Sequence, residues 1–253
     1  MHRLIRALLE AVVSAWGNAA HFSFPRKYSW RWKLEMLTNR YEPETTQLFK
    51  RMVKPGMVVI DIGAHIGYFT RFAARRVGRD GHVYAFEPDA ENRELLIQNT
   101  KRYGNVSVSA AAVGAESGVV PFYHVEGSTG CHSTIAQENA ARLEVEATTL
   151  DAFASSAGIG HVDVIKMDIE GGEWNALKGM ANILRDVQHL IIEYNPSALE
   201  RAGADPYSFL SALQDKGFSV TILSREKEIP LSDARNISAY LTSGSVNLHC
   251  KKS

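Results

Sequence analysis

The chain has little of what marks the specialised protein classes. Its two cysteines, Cys131 and Cys250, stand far apart in 253 residues. That excludes a disulfide framework and a paired metal-ligand motif, and it fits a reducing, cytoplasmic compartment. Charge of one sign is also missing, since 28 Lys+Arg balance 28 Asp+Glu. No global field favours a nucleic acid, and no nucleic-acid partner is expected. No apolar run reaches the roughly 20 residues that a bilayer crossing needs. Internal repeats and low-complexity tracts are absent. What remains, 45% hydrophobic and 22% charged, is enough for a single ordinary core.

The N-terminal stretch from Met1 to Trp16 has a basic start and an apolar middle broken by Arg6 and Glu10. It reads as an amphipathic helix. Such a helix packs on its own domain or on a second subunit, or it serves as a membrane-surface or lid element. Residues 21–40 are aromatic and basic, with Phe22, Phe24, Tyr28, Trp30, Arg31, Trp32 and Lys33. They suit a lid or an acceptor-binding face, or equally a set of simply buried rings. Residues 1–40 thus read as an extension, and 41–253 as one α/β domain.

In that domain strands and helices alternate. A helix over 43–53 stops at Lys54-Pro55-Gly56. Val58–Ile62 and His82–Phe86 are strands, and Ile66, Phe69, Ala73 and Val77 mark one face of the helix between them. Asp89 is a plausible N-cap for a helix running towards Tyr103, with Gly104 as its stop. Val106–Ala110 is the third strand. Residues 114–148 break the rhythm as a hairpin-like insertion, with β segments at Val119–His124 and Leu143–Ala147. Val162–Met167, a helix Glu173–Leu184, His189–Glu193, a helix Pro206–Lys216, Phe218–Leu223 and Ser245–Lys251 complete the series. Repeated βαβ units imply a parallel sheet with helices on both faces and an antiparallel pair at its end.

Residues 58–67, Val-Val-Ile-Asp-Ile-Gly-Ala-His-Ile-Gly, carry the most information. An apolar strand ends at Asp61, and a turn with Gly63 and Gly67 leads into a helix. A dinucleotide fingerprint needs G-x-G-x-x-G, whereas this spacing is D-x-G-x-x-x-G. A phosphate-free adenosyl ligand suits it better, and S-adenosylmethionine is the candidate. Glu87, at the end of the second strand, is placed to accept both ribose hydroxyls, or to cap the following helix. His65 is a candidate base or a local hydrogen-bonding residue.

A second cluster is Lys166-Met-Asp-Ile-Glu-Gly-Gly-Glu-Trp174. Asp168 and Glu170 are two apart and project to the same side if the strand continues that far. Glu173 falls in the first turn of the next helix, as a site residue or as a helix stabiliser. Such carboxylates orient an acceptor hydroxyl or bind a hard cation such as magnesium, with Asp168 and Glu170 as its ligands. Ligands of open parallel sheets bind beyond the strands' carboxyl ends, so Asp61, His65, Glu87, Asp168, Glu170 and Glu193 are expected in one crevice.

Val58–Gly67, Phe86-Glu87-Pro88, Ala112-Val113-Gly114, Val162–Trp174 and Leu190-Ile191-Ile192-Glu193 occur in that order. Together they resemble the FkbM family of S-adenosylmethionine-dependent methyltransferases over roughly residues 40–251. The resemblance implies a class I, Rossmann-like methyltransferase fold, with seven mostly parallel strands and an antiparallel last strand. It implies O-methylation of a hydroxyl on a sugar, glycan or other natural product. Asp61, Gly63, Ala64 and Gly67 would hold the methionine end, Glu87 and Pro88 the ribose, and Ala111 and Ala112 the adenine. His65 stands where many relatives carry Asn.

Methyl transfer to an alcohol needs alignment and a base. Asp168, helped by Glu170, is the expected base, and it also borders the cofactor. Trp174 or the aromatics of residues 21–40 are expected to face a sugar ring, and residues 127–134, with His132 and Ser133, to rim it. The expected partner is a small-molecule or glycan acceptor. The extension is the natural place for a homo-oligomer contact or a peripheral membrane contact. Rival readings are a non-catalytic adenosyl-binding sensor or partner subunit and a nucleic-acid methyltransferase. The latter commonly uses an Asn/Asp-Pro-Pro-aromatic motif, and Asn195-Pro196-Ser197 lacks it.

Overall fold

The computed structural model describes residues 2–125, 130, 132–137, 140–224, 228–232, 234–241 and 244–252. Cys131 and residues 127–129 of the expected rim lie outside the described residues. Three helices come first: α1 (His2–Ala19), α2 (Trp30–Leu37) and α3 (Pro43–Met52). The alternating part follows as β1 (Val58–Ile62), α4 (Tyr68–Val77), β2 (His82–Phe86), α5 (Ala90–Thr100) and β3 (Val106–Ser109). The insertion is β4 (Ala112–Val113), β5 (Gly118–Val125) and β6 (Ala140–Thr148). Next are α6 (Leu150–Ser156), β7 (Val164–Met167), α7 (Glu173–Lys178), β8 (His189–Tyr194), α8 (Pro196–Arg201) and α9 (Pro206–Asp215). The chain finishes with β9 (Phe218–Leu223), β10 (Glu228–Pro230) and β11 (Val246–Lys252).

The main sheet has the order β10-β9-β11-β8-β7-β1-β2-β3. The strands β3, β2, β1, β7 and β8 are parallel, and β11 inserts antiparallel between β8 and β9. The seven expected strands are present, and the short β10 adds an eighth at the edge. Both faces are buried, as the near-continuous apolar strands require. Val59, Val83, Val164 and Ile191 pack with Phe49, Phe69 and Val77 on one face. Ile60, Ile165, Leu190 and Ile192 pack with Leu177, Leu210 and Leu248 on the other. The insertion forms a separate sheet, β4-β6-β5, in which β5 and β6 make the expected antiparallel pair.

Two helices end earlier than their periodicity suggests. Asp89 does cap α5, accepting from the Asn92 amide, but that helix stops at Thr100 rather than Tyr103. The Thr100 hydroxyl bonds back to the Leu96 carbonyl, and the Tyr103 amide turns onto the Thr100 carbonyl. The helix expected over 173–184 breaks after Lys178. Gly179 lies against the Gly114 carbonyl, where a Cβ would sit 2.0 Å from the oxygen. The chain resumes as a single 3-10 turn, Ile183–Arg185.

The turn after β1 is locked from two sides. The amides of Gly63 and Ala64 donate to the Phe86 carbonyl, and the Asp168 amide donates to the Ile62 carbonyl. Gly63 has φ +78, and a Cβ there would meet the Asp168 carbonyl oxygen at 1.9 Å. Gly63→Ala is therefore expected to lower the unfolding free energy by about 2–4 kcal/mol, from backbone strain and overpacking together. Urea denaturation of the variant against wild type measures this.

Candidate active site

The carboxyl ends of β1, β2, β7 and β8 open into one cleft of about 600 Å³, a volume suited to a small-molecule site. Asp61, His65, Glu87, Asp168, Glu170 and Glu193 all line it, as do Gly63, Ala64, Pro88, Ala111 and Ala112.

Asp61 is 1% exposed. Its Oδ2 accepts from the Thr70 hydroxyl at 2.6 Å, while its Oδ1 has no hydrogen-bond partner among the described residues. Burial raises its pKa, and Lys166 works against that rise. Glu87 accepts from the His65 amide at 2.7 Å and the Asp89 amide at 3.0 Å. Burial pushes its carboxyl up to about 8 although both amides favour the charged form. A carboxylate has about four lone-pair directions, so Glu87 keeps acceptor capacity beyond those two amides. His65 sits at φ +53, and its Nε2 lies 3.1 Å from the Tyr28 hydroxyl. Burial lowers its pKa to about 4, so the ring is neutral at ordinary pH.

Lys166 holds the floor together. Its Nζ lies 3.1 Å from Asp168 Oδ2 and 5.0 Å from the Phe69 ring centre. Burial disfavours its charge, but Asp168, Glu42 and Asp61 outweigh that and raise its pKa. Carboxylate oxygens of Asp168, Glu170 and Glu193 lie within 4.8 Å of one another. Burial, then Asp168 and Glu173, push Glu170 up to about 7. Burial, then Asp168 and Glu170, push Glu193 up to about 8. Three like charges so close cannot all ionise freely, and protons remain on the cluster.

The other expected site residues are placed differently. Glu173 is 1% exposed and is not part of the cleft lining. Its two oxygens accept from the Ile169 and Gly171 amides, both at 2.9 Å, so it braces the loop that carries Asp168 and Glu170. Trp174 is also absent from the lining; its ring sits beside Phe209 and beneath Lys178. Three residues before buried Leu177, it lies on the core face of α7 and not at the sugar position expected for it. Gly67, at φ +87, caps α4 and packs on Leu96 rather than on the cleft. Strand β7 ends at Met167, so Asp168 and Glu170 share the cleft by way of a loop, with Glu170 at φ +55, not by strand alternation.

His132 and Ser133 do line the cleft. The Ser133 hydroxyl donates to the carbonyls of Ile169 and Glu170, tying the rim to the carboxylate loop.

Sequence reasoning passed over Lys166, Glu42 and Tyr41 as site residues. A lysine inside the apolar strand Val-Ile-Lys-Met was the available signal. Glu42 reaches the cleft through a left-handed turn at φ +38, which no local pattern announces.

The residues suit S-adenosylmethionine. The unpartnered Asp61 oxygen matches an ammonium, and the spare acceptor capacity of Glu87 matches ribose hydroxyls. Ile62, Phe86, Ala112 and Val113 offer an apolar surface for adenine.

Chemistry and stability are linked here. The pKa values of Glu170 and Glu193, about 7 and 8, exceed the ordinary 4.5. The folded state therefore holds protons that the unfolded chain releases. Their contribution to stability is full below about pH 4.5 and is lost as pH rises through 7 to 8. Urea midpoints of the ligand-free protein should fall across pH 5–8, and the fall should be shallower in Glu170→Gln.

Comparisons with known proteins agree with the cleft. A family model described as the methyltransferase FkbM domain matches residues 61–220. The hexuronic acid methyltransferase AglP of Haloferax volcanii is 26% identical over 236 residues, covering 92% of this chain and 91% of that protein. The 2-O-methyltransferase NoeI of Sinorhizobium fredii is 22% identical over 169 residues, covering 60% of this chain and 69% of that protein. Among solved structures, a Clostridium thermocellum protein assigned as an rRNA methylase superposes with a TM-score of 0.51 at 12% identity. It covers 84% of this chain and 97% of that one, a likeness of fold. Asp61→Asn and Glu87→Ala should each weaken S-adenosylmethionine binding by about 10- to 100-fold in calorimetric titrations, the scale of one charge-assisted contact. With the matched segment spanning β1 to β9 and including Asp61, Glu87 and Asp168, the chain belongs to the FkbM family of S-adenosylmethionine-dependent methyltransferases.

Proposed function

We propose that this enzyme O-methylates a hydroxyl of a sugar or glycan, with Asp168 accepting the hydroxyl proton. The observation that carries this reading is the Asp168 carboxylate. It is fixed by buried Lys166 at 3.1 Å, is about a third exposed to the cleft, and shares that cleft with Asp61 and Glu87. The names of AglP and NoeI, a hexuronic acid methyltransferase and a 2-O-methyltransferase, support it.

S-adenosylmethionine supplies an electrophilic sulfonium methyl when bound. Asp61 would hold its methionine ammonium and Glu87 its ribose, so that this chain's main task is alignment. An acceptor hydroxyl that received this methyl group would release its proton to Asp168. Lys166 keeps Asp168 in place for that step. Glu170 and Glu193 retain protons near neutrality and donate hydrogen bonds to neighbouring oxygens of a polyhydroxyl acceptor. Tyr28, Trp32 and Tyr41 provide an aromatic wall in the cleft, the role offered on sequence grounds to Trp174 or to the rings of residues 21–40. The same three carboxylates have the donor chemistry of a magnesium site, but Lys166 already supplies the positive charge.

Asp168→Asn should lower kcat by about 10²–10⁴-fold, the usual worth of a general base, with the S-adenosylmethionine Kd within about threefold of wild type. Assays would use uronic acid and neutral sugar acceptors. Full turnover in Asp168→Asn removes it as the base. EDTA should leave the rate unchanged; a loss that magnesium restores would reassign Asp168, Glu170 and Glu193 as metal ligands.

A further inference from the structure

Helix α1 is attached by its polar side and turns its apolar side outward. Glu10 accepts from the Trp30 amide at 2.9 Å, and Lys33 reaches both Glu10 and Ser14 at 3.4 Å. Val13 is buried beneath. On the opposite side, Leu4, Leu8 and Val12 repeat every four residues and are 81%, 65% and 56% exposed. Ile5 and Trp16 widen the same stripe, at 49% and 45% exposed. A stripe of this length on a helix that does not need it for packing is a surface waiting for an apolar partner. No helix among the described residues is long and apolar enough to cross a membrane, so α1 would lie on a partner rather than span a bilayer.

Charge identifies the partner. Residues 1–40 hold seven Lys and Arg against Glu10 and Glu35, whereas the whole chain is neutral. Glu10 is already paired with Lys33, while Arg6, Arg26, Lys27, Arg31 and Arg40 are exposed. A second copy docked stripe to stripe would oppose two basic extensions. An anionic surface with an apolar interior complements both the stripe and the charge. Trp16, at the end of the stripe, has the ring type that settles at the boundary between lipid and water. We infer that α1 seats this enzyme on an anionic lipid surface, with its axis along that surface. Lys27, Ser29 and Trp32, in the segment that α1 grips, also line the cleft, so the seated helix is in direct contact with the segment that borders the cleft.

Flotation of the full chain with vesicles tests this independently of any acceptor. Wild type should partition onto vesicles of phosphatidylcholine mixed with phosphatidylglycerol about tenfold or more tightly than onto phosphatidylcholine alone, and less so in high salt. Leu8→Ser/Val12→Ser should lose about tenfold or more of that partition. Arg6→Glu/Arg31→Glu should lose a comparable share. Both variants should keep the wild-type thermal midpoint and S-adenosylmethionine Kd, which separates lost docking from lost folding. Equal partition onto both vesicle types, or none, overturns the inference. So does a dimer in light scattering that Leu8→Ser/Val12→Ser dissolves without any vesicle binding, which would assign the stripe to a second copy.

Discussion

A buried ammonium among carboxylates organises the site. Lys166 and Asp61 are register partners on adjacent strands, and both side chains emerge on the α4 side of the sheet. Without Lys166, strand ends bearing Asp61, Asp168 and Glu193, with Glu42 packed beside them, would place several acids in a poorly solvated pocket. Desolvating even one unpaired charge costs several kcal/mol. With Lys166 present, Asp61 and Asp168 share one counter-charge, and the surplus is absorbed as protons on Glu170 and Glu193. The cluster therefore separates carboxyls by task. One is clamped to a cation and faces the cleft; two keep protons and can donate.

The same economy explains the turn after β1. Its glycines suggest close approach of backbone to a ligand. The structure shows a different reason at Gly63, whose missing Cβ leaves room for the Asp168 carbonyl. The loop after β1 and the loop that carries Asp168 and Glu170 are thus in backbone contact. Glu173 fastens the second loop from behind through the Ile169 and Gly171 amides, and Ser133 does so from above. A small shift in either loop would move both the donor and the base, which suits a reaction whose main demand is alignment.

Much of this was legible in the sequence wherever the cause was local. The strands were found because apolar β-branched runs end at turn residues, and the crevice residues because parallel strands must present their carboxyl ends together. What escaped had non-local causes. The helix after Glu173 ends where Gly179 meets the Gly114 carbonyl, 65 positions earlier in the chain. Lys166 was quoted as part of a cluster but not assigned a role, since a lone lysine in a strand acquires meaning only when its register partner is known. Glu42 depends on a strained turn against strands far along the chain, with Asn247 of β11 donating to it at 3.2 Å.

That division also explains why the acceptor is harder to read than the donor. The family match begins at Asp61. Tyr28, Trp32, Tyr41 and Glu42 all precede it, yet they form one wall of the cleft. The Tyr28 hydroxyl reaches His65 in the cofactor loop, so the extension is joined to the donor site by a direct side-chain contact. The segment common to the family thus holds Asp61, Glu87 and Asp168. The loop before α2, α2 itself and the turn before α3 line that wall, and α1, which carries the exposed apolar stripe, is hydrogen-bonded to α2. The stripe on α1 and this wall of the cleft are joined through the bonds of Glu10 and Ser14 to Trp30 and Lys33, so a displacement of α1 would be felt at Trp32.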